Sequence, residues 1–256
     1  MRVVSLASGS KGNAYCVEAQ GRVLLIDCGL HCRELEARMR AAGHDPAQIV
    51  AAAFTHNHDD HDRGLPVFHR HHPQVELLAN LMTADAIAGQ LGMDALAFSP
   101  FENGQAFDVG PFCVRAFAIP HDVPDPVGYL VSADGQTYFH CTDCGTPLDS
   151  VGVKLAEADF ATLESNHDPV MLHDSPRAES LKRRIRGPRG HLSNDEAADL
   201  VRRFASPRLR RLALAHLSGE CNVPHLAVGA MKAAFADLNR TDIELRVLEQ
   251  DETVEI

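Results

Sequence analysis

The 256-residue sequence contains no tryptophan and only three tyrosines, and aromatic residues make up 5% of the chain. Proteins that bind single-stranded nucleic acid by stacking its bases need several exposed aromatic rings. The composition therefore argues against a stacking platform of that kind. Because 45% of the residues are nevertheless hydrophobic, we expect a sizeable core built mostly from aliphatic side chains.

Long apolar runs are also missing. No segment approaches the roughly 18 consecutive apolar residues of a membrane-spanning helix, and the apolar stretch within residues 1–9 is too short for a signal peptide. The seven cysteines, an odd number spread along the chain, do not resemble a disulfide framework. We expect a cytoplasmic protein with no membrane partner.

Nothing in the chain resembles a linker, since the sequence has no Ser/Gly tract, no proline-rich spacer and no long block of one charge. No internal repeat is visible either. We therefore expect a single domain spanning residues 1–256.

The formal net charge of −11 is unevenly distributed. Residues 177–211 carry eleven Arg or Lys and four acids, a net charge of +7, whereas the remaining 13 basic and 31 acidic residues give −18. A local basic stripe can attract phosphates despite an acidic background. The alternative is a solvated helix surface, and the sequence leaves both interpretations open.

Short apolar runs bounded by Gly, Asn or Pro predict strands. The predicted strands are Val3–Ala7, Ala14–Glu18, Val23–Asp27, Ala51–Phe54, Val75–Ala79, Ala106–Val109, Phe112–Ile119, Val127–Ser132 and Thr137–Cys141, then 158–163, 209–215 and 243–247. Apolar spacing of three to four residues predicts helices at Arg33–Ala42 and Thr83–Leu91. These elements indicate a mixed α/β fold, although periodicity alone does not separate two packed sheets from a three-layer fold.

The densest chemical feature follows the apolar run Ala51–Phe54, where the histidines His56, His58 and His61 and the aspartates Asp59 and Asp60 fall within six residues. Neutral imidazole and carboxylate are ligands for zinc, manganese or iron, and such a short turn can serve two neighbouring ions. The alternative is a solvated His-rich loop. A strand that ends directly in this run favours a metal site.

Two ions need further ligands, and single candidates follow other predicted strands. They are His121 after Phe112–Ile119, Asp143 after Thr137–Cys141, and His216 after the strand at 209–215. Each alone could be an ordinary polar turn residue. Together they favour one site, because loops at one sheet edge converge in space.

With these residues in view, the chain resembles the metallo-β-lactamase fold superfamily, whose motif is His-x-His-x-Asp-His followed by single His, Asp and His residues at strand ends. It is most similar to the YycJ/WalJ family of that fold. The segments that carry this resemblance are Ser8–Asn13, Leu25–Gly29, Thr55–His61, His121-Asp122, Pro126–Tyr129, Thr142-Asp143, Leu163–Asp168 and Gly190–Asn194. The resemblance implies an αββα sandwich, two metal ions at one edge, and a nuclease or phosphodiesterase activity, exonucleolytic in that family and linked to DNA.

Carried over by position, the resemblance implies His56, His58 and His121 on one metal ion, Asp60, His61 and His216 on the other, and Asp143 bridging both. Asp59 falls on the variable position of the motif. Asp27 ends an apolar strand and could accept a proton from the outward nitrogen of a ligand histidine, although a turn Asp is an equal alternative.

Two metal ions can activate a bridging water and stabilise the charge of a phosphodiester under attack. We predict that metal-bound hydroxide is the nucleophile at a centre that includes Asp60, and that His191 protonates the leaving group. The region from Gly190 to Ser218 resembles ribonuclease Z, which implies Glu164 as the partner of this histidine. His191 precedes a predicted helix start that favours an anion, and the predicted phosphate or substrate contacts are Arg183, Arg184, Ser193 and Asn194. A locally packed His191 is the alternative, and the role of His167 stays open.

The interval from Asp143 to His216 is too short for the inserted domain of the β-CASP nucleases, and no arm resembles the tRNA clamp of ribonuclease Z. Cys141 and Cys144 form C-x-x-C, but their position beside Asp143 favours packing over a redox pair. Cys28 also lies beside a predicted site residue.

The sequence does not choose between zinc and manganese, and it does not determine the oligomeric state. Rival functions are hydrolysis of a small phosphodiester, ester, thioester or lactam, and a non-catalytic metal-binding regulator.

Overall fold

Fourteen β-strands, nine α-helices and two short 3-10 helices make up the chain, and the computed structural model describes all 256 residues. The residues divide into two units. The first comprises Met1–Ala118, Val123–Gln136 and Glu249–Ile256, and the second comprises Ile119–Asp122 and Thr137–Leu248. None of the helices has an apolar stretch long enough to cross a bilayer.

The first unit contains a seven-stranded sheet in the order β14-β1-β2-β3-β4-β5-β6. Its strands are β1 Arg2–Ala7, β2 Ala14–Ala19, β3 Arg22–Ile26, β4 Ile49–Ala53, β5 Glu76–Asn80, β6 Phe98–Phe101 and β14 Val254–Glu255. β1 to β3 pair antiparallel, whereas β3 to β6 pair parallel. The connecting helices are α1 Cys32–Ala41, α2 Asp59–Asp62, α3 Leu65–His71 and α4 Leu81–Leu91, with 3-10 helices at Pro46–Gln48 and Ala95–Ala97.

Three further strands of this unit form an antiparallel meander: β7 Ala106–Val109, β8 Phe112–Ala118 and β9 Val127–Ala133. The tight turn between β7 and β8 contains Gly110 with a φ of 53°, a conformation that a residue with a Cβ rarely adopts. The turn matches the hairpin pattern of two apolar runs separated by a glycine-containing connection.

The second unit is built on four parallel strands in the order β13-β12-β11-β10. They are β10 Gln136–Cys141, β11 Phe160–Glu164, β12 Arg211–Ala215 and β13 Glu244–Val247. Five helices connect them: α5 Asp149–Leu155, α6 Pro169–Asp174, α7 Glu179–Ile185, α8 Asn194–Phe204 and α9 Pro224–Asp237. Every residue of β11 is buried, as expected of a strand covered on both faces.

The predicted strands are confirmed to within one residue at each end, with three exceptions: β4 begins two residues earlier than expected, and β11 and β12 each begin two residues later. The prediction missed β6 and β14. β6 contains Pro100 and is only four residues long, and β14 has two residues. Short edge strands of this kind carry too little periodicity to recognise in a sequence.

The core is largely aliphatic, as expected, yet all three tyrosines are fully buried in it. Their hydroxyl groups donate hydrogen bonds: Tyr15 to Ser8 Oγ at 2.9 Å, Tyr129 to the carbonyl oxygen of Phe54 at 2.5 Å, and Tyr138 to Thr162 Oγ1 at 2.7 Å. A buried hydroxyl without a partner would be costly. These hydrogen bonds explain how all three tyrosine side chains can be buried in the core.

Candidate metal centre

The first unit places its predicted ligands on one short segment after β4. His56 and His61 are fully buried, with ring centroids 4.1 Å apart. Nε2 of His56 lies 3.1 Å from Nδ1 of His58. The sequence suggested a turn here, but Asp59–Asp62 forms one turn of helix. We call His56, His58, Asp60 and His61 the first cluster.

Asp27 orients His61. Its Oδ2 lies 2.7 Å from Nδ1 of His61, and its Oδ1 accepts a hydrogen bond from the backbone N–H of Thr55 at 2.8 Å. The Nδ1–H therefore points at a carboxylate, so Nε2 is the nitrogen that carries the lone pair of the neutral ring. Asp27 adopts a φ of 60° directly after β3, a strained conformation that is typical of functional sites.

Asn13, from the Ser8–Asn13 segment, is a site residue that the sequence prediction did not single out. Its Nδ2 donates to Asp60 Oδ2 at 3.2 Å and lies 3.1 Å from Nε2 of His61. Its own backbone N–H donates to the carbonyl oxygen of Asp60 at 2.7 Å. These contacts fix the position of Asp60, whose Oδ2 lies 3.6 Å from Nε2 of His61.

Two glycines allow this close packing. A Cβ added to Gly29 would lie 1.7 Å from the carbonyl oxygen of Asp60, and one added to Gly64 would lie 1.9 Å from the carbonyl oxygen of Leu30. Because the clashing atoms are backbone carbonyl oxygens, a change of side-chain rotamer cannot relieve either clash. The glycine of the Leu25–Gly29 segment is therefore required by the site's packing.

Asp62 is a second residue that the sequence prediction missed. Its side chain is buried, and neither carboxylate oxygen has a hydrogen-bond partner. Burial raises the pKa of Asp62 to about 7, and the charges of Asp59 and Asp27 add to the rise while His61 opposes it. Such a carboxyl group is costly to keep charged.

The second unit gathers its candidates at the carboxyl ends of parallel strands. Asp143 follows β10, Glu164 ends β11 and His216 follows β12. Glu164 and Ala215 are register partners, so His216 lies next to the Glu164 position. Asp143 and His216 adopt φ values of 58° and 56°, as Asp27 does in the first unit. These three, with His121 and His191, form what we call the second cluster.

Glu164 connects the histidines of this cluster. It is fully buried, and its Oε1 lies 2.8 Å from Nδ1 of His191 and 3.0 Å from Nδ1 of His216. Its Oε2 accepts hydrogen bonds from the backbone N–H groups of Cys144 and Leu192. Burial by itself would raise the pKa of Glu164, but the charge and hydrogen bonds of its histidine partners lower it to about 2.

Asp143, Glu164, His191 and His216 have potential ligand atoms that all lie within 4.8 Å of one another. Asp143 Oδ1 is 3.4 Å from Nδ1 of His216 and 3.9 Å from Nε2 of His121. His121 is anchored at its other nitrogen, since Nδ1 lies 3.0 Å from the carbonyl oxygen of Gly190. Burial lowers the pKa of His121, which favours the neutral ring that a metal requires.

His191 differs from its neighbours in exposure. Its side chain is 20% exposed, compared with 3% for His216 and 2% for Asp143. Although burial opposes the charged form, the charge of Glu164 and the hydrogen bond to it raise the pKa of His191. This histidine is therefore both reachable and disposed to hold a proton.

The remaining predicted residues have structural contacts. Ser193 caps α8 in a capping box with Glu196, and the buried Asn194 accepts hydrogen bonds from Ser165 and Asn222. Nδ1 of the buried His167 has no hydrogen-bond partner, and the backbone carbonyl oxygen of His167 accepts a hydrogen bond from the N–H of Asn194. A binding role for Ser193 and Asn194 stays a prediction, and these contacts give both residues a role in the fold.

The predicted basic contacts flank the second cluster in sequence. Arg183 and Arg184 lie at the end of α7 and both are exposed. Arg184 forms an ion pair with Asp122, the residue after His121. The hydrogen bond to this carboxylate raises the pKa of Arg184. Arg183 has no such partner in the structure.

The cysteines near the site are packed and not paired. Cys28, Cys141 and Cys144 are free thiols with no exposed surface. A hydrogen bond to Cys144 and burial raise the pKa of Cys141, and burial raises the pKa of Cys28. The burial of Cys141 and Cys144 fits the packing role expected for this pair from the sequence.

Comparison with known proteins identifies the family of this site. Residues 22–217, which include every predicted ligand, match the family described as the beta-lactamase superfamily domain. The chain belongs to the metallo-β-lactamase superfamily. Two relatives, named WalJ and YycJ, confirm the predicted similarity to the YycJ/WalJ family.

Exodeoxyribonuclease WalJ of Streptococcus pneumoniae strain D39 is 33% identical over 238 residues, which cover 91% of this chain and 88% of that protein. Exodeoxyribonuclease YycJ of Bacillus anthracis is 31% identical over 225 residues, covering 87% of this chain and 84% of that protein. The crystal structure of the metallo-β-lactamase fold protein YhfI from Bacillus subtilis aligns over 100% of both chains with a TM-score of 0.71 and 18% identity. The predicted α/β metallo-β-lactamase sandwich is confirmed.

Membership of this superfamily makes the chain a metal-dependent hydrolase and implies divalent metal binding. The donors in the two clusters fit that requirement, because neutral imidazole nitrogens and carboxylate oxygens are the ligands that zinc and manganese accept. The prediction of a metal-dependent enzyme is therefore confirmed at this level.

Proposed function

We propose that the protein is a dinuclear-metal-dependent nuclease that acts on DNA, in the cytoplasm, as one hydrolase domain. The observation that carries this proposal is the second cluster, in which the partly exposed His191, whose pKa is raised, is joined through Glu164 to the predicted ligand His216. The names of the relatives WalJ and YycJ, exodeoxyribonucleases, support DNA as the substrate.

Seven side chains are the proposed ligands of two divalent ions. His56, His58 and His121 would hold one ion, Asp60, His61 and His216 the other, and Asp143 would bridge. When bound, the two ions would activate a water molecule and offset the charge of a phosphoryl oxygen. Zinc and manganese both suit this mixture of His and Asp donors.

The protein's own contribution begins with orientation. Asp27 holds the Nδ1–H of His61, Glu164 holds that of His216, and the carbonyl oxygen of Gly190 holds that of His121. With Nδ1 held in this way, Nε2 is the nitrogen of each ring that would bind a metal. Acceptors of this kind raise the basicity of a ligand histidine and fix its ring.

Proton transfer to the leaving oxygen is assigned to His191. Its Nδ1 is committed to Glu164, so Nε2 is the atom that would donate. The negative charge of Glu164 stabilises the imidazolium before the proton leaves, and a general acid needs a pKa near the working pH. Asp60 supports the reaction as a ligand that Asn13 fixes in place.

Substrate attraction is assigned to the basic stretch at 177–211. Arg183, Arg186 and Arg189 are exposed and precede His191, so phosphates of a nucleic-acid strand could be held close to the proton donor. Phosphate contacts supply sequence-independent affinity that weakens with salt. A small phosphodiester would need none of these arginines.

The test is a substrate panel: end-labelled duplex and single-stranded DNA, RNA, bis-p-nitrophenyl phosphate and a thioester, each with metal-depleted protein and after adding Zn²⁺ or Mn²⁺. We expect DNA cleavage that depends on metal and disappears in Asp143→Ala. Asp85→Ala, which removes an exposed carboxylate on α4, is the matched control and should keep full activity.

Turnover of the thioester alone would overturn the nuclease proposal in favour of a small-ester hydrolase. Metal binding without turnover of any substrate would instead identify a regulatory metal protein. Cleavage of bis-p-nitrophenyl phosphate without any polymer cleavage would contradict DNA as the substrate and leave phosphodiester chemistry in place.

A further inference from the structure

A second group of potential metal ligands lies in the first unit, on helices α1 and α3. Cys32 is the first residue of α1, Glu36 follows one turn later, and His72 directly follows α3. One donor atom from each of the three lies within 4.8 Å of the others. None of the three belongs to the seven ligands proposed above.

The distances among these donors fit a tetrahedral ion. Cys32 Sγ is 3.6 Å from Glu36 Oε1, and His72 Nε2 is 3.0 Å from the same oxygen. Zinc bonds of about 2.3 Å to sulfur and about 2.0 Å to nitrogen and oxygen, at tetrahedral angles, separate neighbouring donors by roughly 3.2 to 3.6 Å. The two distances to Glu36 therefore already lie near those of a tetrahedral ion, and the donors of Cys32 and His72 lie within 4.8 Å of each other.

Neighbouring groups hold the donors in place. Arg40 Nη2 donates to Glu36 Oε2 at 2.8 Å, so Oε1 is the oxygen that remains directed at Cys32 and His72. The ring of Phe68 lies against His72 with a centroid distance of 4.8 Å. Cys32 is only 3% exposed. Supporting contacts of this kind are typical of metal sites.

His71 could supply a fourth donor atom to this group. Nδ1 of His71 lies 3.8 Å from Cys32 Sγ, and His71 is exposed, so its ring can turn without disturbing the core. Water could occupy the same position. A thiolate, a carboxylate and one or two imidazoles form a ligand set that favours zinc over magnesium or calcium.

We propose that Cys32, Glu36 and His72 form a separate zinc-type site that ties the start of α1 to the end of α3. The thiol proton of Cys32 leaves as the metal binds, and the thiolate and carboxylate together balance the charge of a divalent ion. α3 follows α2 along the chain, so the ion stabilises the segment that leads away from the first cluster.

Cobalt(II) separates this site from the dinuclear centre, because none of the seven proposed ligands is a cysteine. Full-length protein loaded with cobalt is expected to show a thiolate-to-cobalt charge-transfer band in the near ultraviolet. Cys32→Ser is expected to abolish the band and to lower bound zinc by one equivalent. Cys113→Ser removes an exposed thiol and should change neither.

Glu36→Gln and His72→Asn keep size and polarity and should each weaken cobalt binding at least tenfold, as followed by titration of the same band. Circular dichroism checks that every variant is folded. Cys32→Ser should retain metal-dependent phosphodiesterase activity. Absence of the band in wild type, or its persistence in Cys32→Ser, would overturn the proposal, and neither result bears on nuclease activity.

Discussion

Oε1 of Glu164 lies 3.0 Å from Nδ1 of His216. The same oxygen lies 2.8 Å from Nδ1 of His191. One buried carboxylate therefore orients a proposed metal ligand and charges a proposed proton donor at the same time. Strand β11 makes this possible, because it ends between the strands that lead to Asp143 and His216.

Glu164→Gln should impair both functions. The amide keeps the shape of the side chain but removes the negative charge, and its NH2 group cannot accept a hydrogen bond from Nδ1–H. We expect metal affinity or activity to fall by roughly 10- to 100-fold, the usual effect of losing an acceptor behind a metal ligand. Metal content after dialysis and turnover of end-labelled DNA at saturating metal measure the two effects separately, and unchanged values for both would contradict the assignment.

His191→Ala should slow phosphodiester turnover and leave metal content unchanged. A positioned general acid contributes about 10²- to 10⁴-fold to a rate, and the loss should be smallest for bis-p-nitrophenyl phosphate, whose leaving group needs little protonation. Metal analysis of the same preparation is the control. Loss of metal in this variant would make His191 a ligand and not the proton donor.

Arg183→Ala tests the polymer substrate. Removing one phosphate contact should weaken DNA binding equally for all sequences and reduce the slope of log affinity against log salt by about 1. Arg33→Ala removes an exposed arginine on α1 and serves as the matched control. An unchanged salt slope in Arg183→Ala would exclude this arginine from the DNA interface.

Gly29→Ala should be strongly destabilising and Gly89→Ala stabilising. The new Cβ of the first variant meets the carbonyl oxygen of Asp60 at 1.7 Å, whereas Gly89 in α4 has open space around it. Replacing an unstrained helical glycine typically stabilises by about 0.4 to 1 kcal/mol. Urea denaturation of both variants gives the comparison, and equal stabilities would show that the backbone near Asp60 can move freely.

Acid should destabilise the protein partly through His44. This histidine is buried, and burial together with the charge of Arg2 lowers its pKa below 6.5. As the pH falls through 6.5 the unfolded chain binds the proton first, so stability present above that pH is lost below it. The free energy of unfolding between about pH 7.5 and about pH 5 should fall less in His44→Gln than in wild type; an equal fall would exclude His44.

Local sequence was sufficient for much of the fold. The apolar runs Ala14–Glu18 and Ala106–Val109 became β2 and β7 because their hydrophobic residues and flanking glycines encode a strand directly. The segment His56–His61 could be predicted as a metal site from the sequence alone, since its donor residues are neighbours in the chain.

The sequence also determined which residues to consider at strand ends, although not how they meet. Asn13 beside Asp60, the clash that requires Gly29, and the grouping of Cys32 with Glu36 and His72 were all missed. Each joins residues that are far apart in sequence or that carry no periodic pattern. Only chain folding brings their atoms within bonding distance.

The chain by itself thus determined the element types, the aliphatic core and the His/Asp donors, because these depend on composition and near-neighbour spacing. The tertiary structure decided that Asp27 holds Nδ1 of His61 and that Glu164 holds Nδ1 of both His191 and His216. Asp27, Asp143 and His216 reach their positions through left-handed backbone conformations that local preference opposes. The packing of parallel strand ends around them supplies the free energy that local sequence does not.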